Sequence, residues 1–148
     1  MIRTITGIGP RVGTSYVMRK CIDAGLPVNY DPILEAMLPY AGNPRGYYEY
    51  NPLDLPGLTS GITKVWPLFL HTVEVEKAVI LQRDPAQQYH SMRKQARREG
   101  VRCYPPHWLE QSLQALVDWL PTTGAEVRVY RTEDLSSHID EILQFIGD

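Results

Sequence analysis

Residues 2–15 read IRTITGIGPRVGTS, and their reading decides the fold. Residues 2–6 alternate apolar and polar side chains, the period of a β-strand, and then run into glycines, as a strand does on entering a tight turn. Residues 13–25 have the helical period instead. Val17, Cys21 and Ala24 recur at i, i+4 and i+7, with Met18 and Ile22 beside them and Gly25 as a stop. A strand that feeds a helix through a glycine turn suits the opening of an α/β domain.

Outward from this unit the alternation continues. Residues 27–30 (PVNY) read as a short second strand, and Asp31-Pro32 as a helix start, with Asp as N-cap and Pro at the first helical position. Residues 39–61 hold Pro39, Pro44, Pro52 and Pro56 and Gly42, Gly46, Gly57 and Gly61, so a long irregular loop is expected, of the kind that often carries function. Residues 62–66 (ITKVW) and 77–82 (KAVILQ) are strand-like. Pro85 opens a helix that runs to Glu99 and stops at Gly100, and Pro105-Pro106 opens another. That helix has Trp108, Leu109, Leu113, Leu116, Val117 and Leu120 at helical spacing. A strand over 126–130 (EVRVY) and a helix over 136–146 complete the chain. Ser136 or Ser137 is the expected cap of that helix, and Ile139, Ile142, Leu143 and Ile146 its inner face. The pattern predicts an α/β domain with a mostly parallel central sheet. Strands 2–6, 62–66, 77–82 and 126–130 lie in it, with strand 2–6 central so that its glycine turn opens on a crevice.

Composition bounds the function. The 148 residues suffice for one domain, 1–148, with a proper core, and 43% apolar and 22% charged content is ordinary for globular chains. A net charge of −2 gives no global basic field, so no specific nucleic-acid partner is expected. The cations are clustered instead, at Arg93, Lys94, Arg97, Arg98 and Arg102, most simply as a solvated helix face that borders the site. Cys21 and Cys103 lack a C-x-x-C or zinc spacing, and no ligand cluster for a metal is evident. With no apolar run of membrane length and no apolar signal core, a cytoplasmic location without membrane partners is expected.

The opening turn, GIGPRVGTS at 7–15, carries the first chemistry. Backbone N–H groups and a helix N-terminus gather at one point and favour an anion. Thr14 and Ser15 add hydroxyls, and Arg11 adds a fork suited to phosphate or sulfate. The loop departs from G-x-x-x-x-G-K-[ST], the loop of nucleoside-triphosphate sites, because Thr14 and not lysine follows Gly13. A plain glycine-rich turn is the competing reading. Arg83 follows strand KAVILQ, Arg131 follows strand EVRVY, and Ser91 stands eight residues after Arg83 on the next helix. An arginine at a strand end and a serine on the following helix can converge on one phosphate, against the simpler reading of a solvated turn. Lys64, near the end of its strand, can reach a transferred group, or else is a surface lysine.

These segments together resemble the sulfotransferase family that uses 3′-phosphoadenosine 5′-phosphosulfate. GIGPRVGTS is similar to its phosphosulfate loop P-[KR]-S-G-T-[ST], with Val12 in place of serine. ILQRDPAQQYHS resembles its 3′-phosphate motif R-[DN]-P-x5-S through Arg83 and Ser91. NPRGYYE at 43–49 resembles the G-[FYW]-[FYW]-E segment of bacterial and viral members. ITKVWP resembles their K-[DT]-P strand, and VYRTEDL at 129–135 the closing Y-E-D-L segment. Many members carry a histidine two residues after the lysine, where this chain has Trp66, and no R-K-G closing segment is found. The chain is shorter than most members, so reduced acceptor-binding insertions are expected.

The resemblance implies a single three-layer P-loop-type domain and transfer of a sulfuryl group to a hydroxyl or amine of a small-molecule or glycan acceptor. It implies that Arg11, Gly13, Thr14 and Ser15 hold the 5′ end of the donor and Arg83 and Ser91 its 3′-phosphate. Arg11 and Lys64 would stabilise the transferred charge, with no metal. Glu49 is the first candidate for the acceptor's base, with His71 and His107 behind it. Two other classes stay open: a P-loop small-molecule kinase, and a non-catalytic relative that binds a nucleotide or a partner protein.

Overall fold

A computed structural model describes residues 1–37, 47–100 and 107–148. Five strands form one sheet: β1 (Ile2–Gly7), β2 (Val28–Asn29), β3 (Ile62–Lys64), β4 (Val75–Gln82) and β5 (Glu126–Arg131). They stand in the order β2-β3-β1-β4-β5, and every pair is parallel. Strand β1 is central, as expected. The described helices are α1 (Thr14–Asp23), α2 (Pro32–Met37), α3 (Pro85–Glu99), α4 (His107–Trp119) and α5 (Leu135–Gly147).

The period-two pattern of β4 shows how the layers form. Val79 and Leu81 face a core built with α1 and α5, through Val17, Met18, Cys21, Ile142 and Ile146. Ala78 and Ile80 face the other core, with Leu70, Leu116 and Trp119. The result is a three-layer α/β domain. Asp31 caps α2 as read, its Oδ1 accepting from the Ile33 amide at 2.9 Å. Asp84 caps α3 through the Gln87 amide at 3.0 Å, and Gly100 ends that helix in the left-handed region.

Two expectations need correction. Ser136 and Ser137 do not cap α5; they lie inside it, behind a short 3₁₀ turn at Thr132–Asp134. The inner face of α4 is also rotated from the one the apolar residues suggest. Ser112, Leu116 and Trp119 are buried, whereas Trp108, Leu113, Val117 and Leu120 are exposed. Apolar residues cover too much of this helix for periodicity to choose a face. Packing against the 3₁₀ turn at Pro67–Thr72 chooses it. The family-like segment at 43–49 is described only from Tyr47. Pro39, Pro44, Gly42, Gly46, Arg102, Cys103 and Pro105-Pro106 lie outside the described residues.

Strand register fixes the site. Ile5 stands level with Lys64 on one side and Val79 on the other, and Gly7 level with Leu81. Lys64, the turn after Gly7 and Arg83 therefore leave the sheet at one edge. The chain leaving β1 returns through β2 on one side, and the chain leaving β4 returns through β5 on the other. Such a divergence opens a crevice at the carboxyl ends of the strands.

The opposite edge is closed by charge. The Arg3 guanidinium donates to the carbonyls of Ile146 and Gly147 at 3.0 and 2.8 Å, where α5 ends, and to Glu76 at 2.7 Å. Lys77 adds a bond to the Phe145 carbonyl at 3.0 Å. Cations there offset the helix dipole. The bond from Arg3 holds the Glu76 carboxyl below its ordinary value of 4.5. A depressed folded-state value stabilises above the unfolded pKa, and the gain is lost as pH falls through the folded value. Glu76→Gln should therefore lower the thermal midpoint near neutral pH and lose its effect well below pH 4.5. A difference that persists undiminished in acid would mean that charge plays no part.

Candidate functional site: an anion cradle at the end of β1

The turn from β1 to α1 is wound from alternating left-handed residues, Gly9 at φ +78°, Arg11 at +65° and Gly13 at +100°. Such alternation makes a concave nest of backbone amides. Three side chains pin the loop's carbonyls. Gln88 Nε2 donates to Ile8 and Pro10, each at 2.6 Å. Arg83 Nη1 donates to Arg11 at 3.0 Å, and the Thr132 hydroxyl to Val12 at 2.6 Å. With the carbonyls held, the amides of residues 11–16 meet no protein acceptor among the described residues, and no side chain caps α1 at Gly13. Unsatisfied donors at a helix N-terminus are what an anion recognises.

Neighbouring helices fix the shape of the loop. A Cβ on Gly9 would lie 2.4 Å from Leu109 Cδ2, and one on Gly13 2.6 Å from Leu135 Cδ1. Gln88 is 1% exposed, so its two bonds are made in a dry setting. Gln88→Leu keeps much of the bulk and removes the donor. It should cost about 1–3 kcal/mol in urea unfolding through the stranded carbonyls. An unchanged midpoint would show that the loop holds itself.

Positive charge gathers beside the nest. Arg11 Nε donates to Ser91 Oγ at 3.1 Å. Burial, then the nearby Arg98, lower the Arg11 pKa; Tyr47 opposes them, Arg83 adds a weaker lowering, and Glu99 opposes most weakly. Among the described residues no carboxylate lies at ion-pair distance from Arg11, Arg83 or Arg98. Arg83 Nε is buried without a partner among them. Ser91 accepts from Arg11, and Arg83 donates to the Arg11 carbonyl, so Arg83 and Ser91 flank the same loop.

The other flank is built on Lys64, whose side chain is 4% exposed. It is no edge-strand surface lysine, because β3 lies between β2 and β1. Its Nζ contacts Glu49 Oε1 at 2.7 Å, the Tyr47 carbonyl at 3.0 Å and Ser15 Oγ at 3.3 Å. Trp66 Nε1 donates to Glu49 Oε2 at 3.2 Å, and Ser15 Oγ to the Tyr47 carbonyl at 3.3 Å. Thr14, buried, begins α1.

The structure brings Arg11, Gly13, Thr14, Ser15, Glu49, Lys64, Arg83 and Ser91 to one edge of the sheet. It does not bring His71 there. That residue lies in the turn before β4, on an open groove of about 910 Å³ shared with Glu74, Glu76 and Asp118, at the other edge and with the wrong charge for phosphate. His107 starts α4, exposed. Gln88, Thr132 and Tyr47 were not legible as site residues. They belong to segments already singled out, but only the fold turns them onto the loop.

No family model matches the chain, and no curated protein matches it. A solved structure to which it is similar is the crystal structure of an uncharacterized protein from Eubacterium ventriosum, 11% identical, with a TM-score of 0.43 over 99% of this chain and 98% of that one.

Proposed function

We propose that the chain transfers a sulfuryl group from 3′-phosphoadenosine 5′-phosphosulfate to a hydroxyl or amine of a small-molecule or glycan acceptor. The supporting observation is the pair of flanks around the nest: Arg11 on Ser91 with Arg83 behind it, and Lys64 on Ser15. Among the described residues, guanidinium groups without a carboxylate partner, a buried Arg83 Nε without a partner and amides without acceptors fit a ligand with two anionic ends.

Each residue then has a task. The amides of the turn, Gly13 among them, and the hydroxyls of Thr14 and Ser15 hold the 5′ end, and Arg83 and Ser91 the 3′-phosphate. In the reaction the acceptor oxygen or nitrogen bonds to sulfur while the bond from sulfur to the bridging phosphate oxygen breaks. Negative charge grows on the sulfuryl and leaving oxygens, where Arg11 and Lys64 stabilise it. Glu49 takes the acceptor's proton. It is already oriented by Lys64 and Trp66, so base and cation share one contact.

A triphosphate kinase is less favoured, because Thr14 and not an ammonium follows Gly13. A non-catalytic binding role draws on the Lys64–Glu49 pair, in which base and cation neutralise each other. Calorimetry separates the three. Tight binding of adenosine 3′,5′-bisphosphate without Mg²⁺, followed by turnover with some acceptor, is the expected result. ATP binding that requires Mg²⁺ would replace this reading with a kinase, and bisphosphate binding without turnover on any acceptor would replace it with a binding protein.

A further inference from the structure

Tyr47 touches both flanks of the site. Its carbonyl accepts from Lys64 Nζ at 3.0 Å and from Ser15 Oγ at 3.3 Å, so its backbone sits on the β3–α1 side. Its phenol reaches the other side, where it donates to Glu99 and accepts from Gln95 Nε2 at 3.1 Å. Gln95 also donates to Glu99 at 3.3 Å. Gln95 and Glu99 follow Ser91 by one and two helical repeats of four, so they share its face of α3. Burial, then the bond to Glu99, raise the phenol's pKa above its ordinary value.

The next residue anchors this segment. Tyr48 is buried with a left-handed φ of +57°, its hydroxyl accepts from Arg19 on α1 at 3.1 Å, and its ring meets Tyr30 edge-on at 5.6 Å. A left-handed conformation at a bulky residue persists only where its surroundings impose it. The backbone at 47–48 is thus bound to α1 and β3, while the Tyr47 ring crosses to α3.

We propose that Tyr47 is a positioning residue that holds the Lys64–Ser15 flank at a set distance from the Arg11–Ser91 flank, latched by its hydrogen bond to Glu99. The proposal rests on the sulfotransferase reading, in which one flank meets the 5′ end of the nucleotide and the other its 3′-phosphate. A ligand that engages both flanks gains the second contact at little further entropic cost only if their separation is fixed in advance. A ligand that engages one flank is indifferent to the latch. The effect of the latch therefore lies in a ratio of affinities, which a general loss of packing does not change.

The test is calorimetric, on the full chain, with adenosine 3′,5′-bisphosphate, adenosine 5′-monophosphate and adenosine 3′-monophosphate. Tyr47→Phe keeps the ring and removes the hydroxyl. Binding of the bisphosphate should weaken about 10-fold, the scale of one hydrogen bond to a charged group. Binding of either monophosphate should stay within about 2-fold, as expected of uncoupled sites. Glu99→Ala should reproduce the selective loss and add nothing to Tyr47→Phe in the double variant, whereas Glu99→Gln, which still offers the phenol an oxygen, should recover most of the affinity. Equal weakening of all three ligands, no weakening, or equal losses in Glu99→Gln and Glu99→Ala would overturn the latch and leave the sulfotransferase reading standing. A wild-type chain with no preference for the bisphosphate over the monophosphates would overturn both.

Discussion

Glu49→Gln should lower turnover by about 10²–10⁴-fold, the usual consequence of losing a general base. The substitution keeps size and an acceptor oxygen for Lys64, gives up the second oxygen that accepts from Trp66, and removes the proton acceptor. Nucleotide affinity should hold or tighten. Glu49 neutralises Lys64 at 2.7 Å, and without that carboxylate the ammonium is more available to an anion. Breaking a buried ion pair also destabilises, so thermal unfolding is measured alongside to separate a weakened fold from a weakened reaction. The experiment begins with a panel of sugars, phenols and amines to find an acceptor for the wild type. Turnover that survives the substitution would remove Glu49 from the proton-transfer step and leave the role to His107, at the start of α4, or to solvent, since His71 lies at the opposite edge of the sheet.

Arg83→Ala carries the second large effect, on recognition. It should weaken a 3′-phosphorylated nucleotide about 10–150-fold more than the same nucleotide without that phosphate, since a charge-assisted contact is worth about 1.5–3 kcal/mol. Some loss is expected for both ligands, because Arg83 also holds the Arg11 carbonyl at 3.0 Å and with it the shape of the nest. The differential loss is the diagnostic quantity. Equal losses would reduce Arg83 to a support for the loop.

The element order was legible because it rests on local physics. Period-two and period-3.6 patterns, Asp before Pro at helix starts and glycine at helix ends act over a few residues, and α3 begins and ends where Pro85 and Gly100 said it would. The central place of β1 followed from the glycine turn that leaves it. Helix α4 marks the limit. Its apolar residues suit more than one face, and the choice fell to the 3₁₀ turn opposite.

At the site the division is the same. The sequence by itself determined which residues come to the carboxyl edge of the sheet, because strand ends and turns carry them there: Arg11 and Ser15 after β1, Lys64 at the end of β3, Arg83 after β4. Only the tertiary structure decided how they pair. Arg11 and not Arg83 meets Ser91, Glu49 neutralises Lys64, and Gln88, Thr132 and Tyr47 complete the cradle. Those contacts join residues far apart along the chain. They are set by strand register and by the side of the sheet on which each helix returns, neither of which a local window of sequence contains.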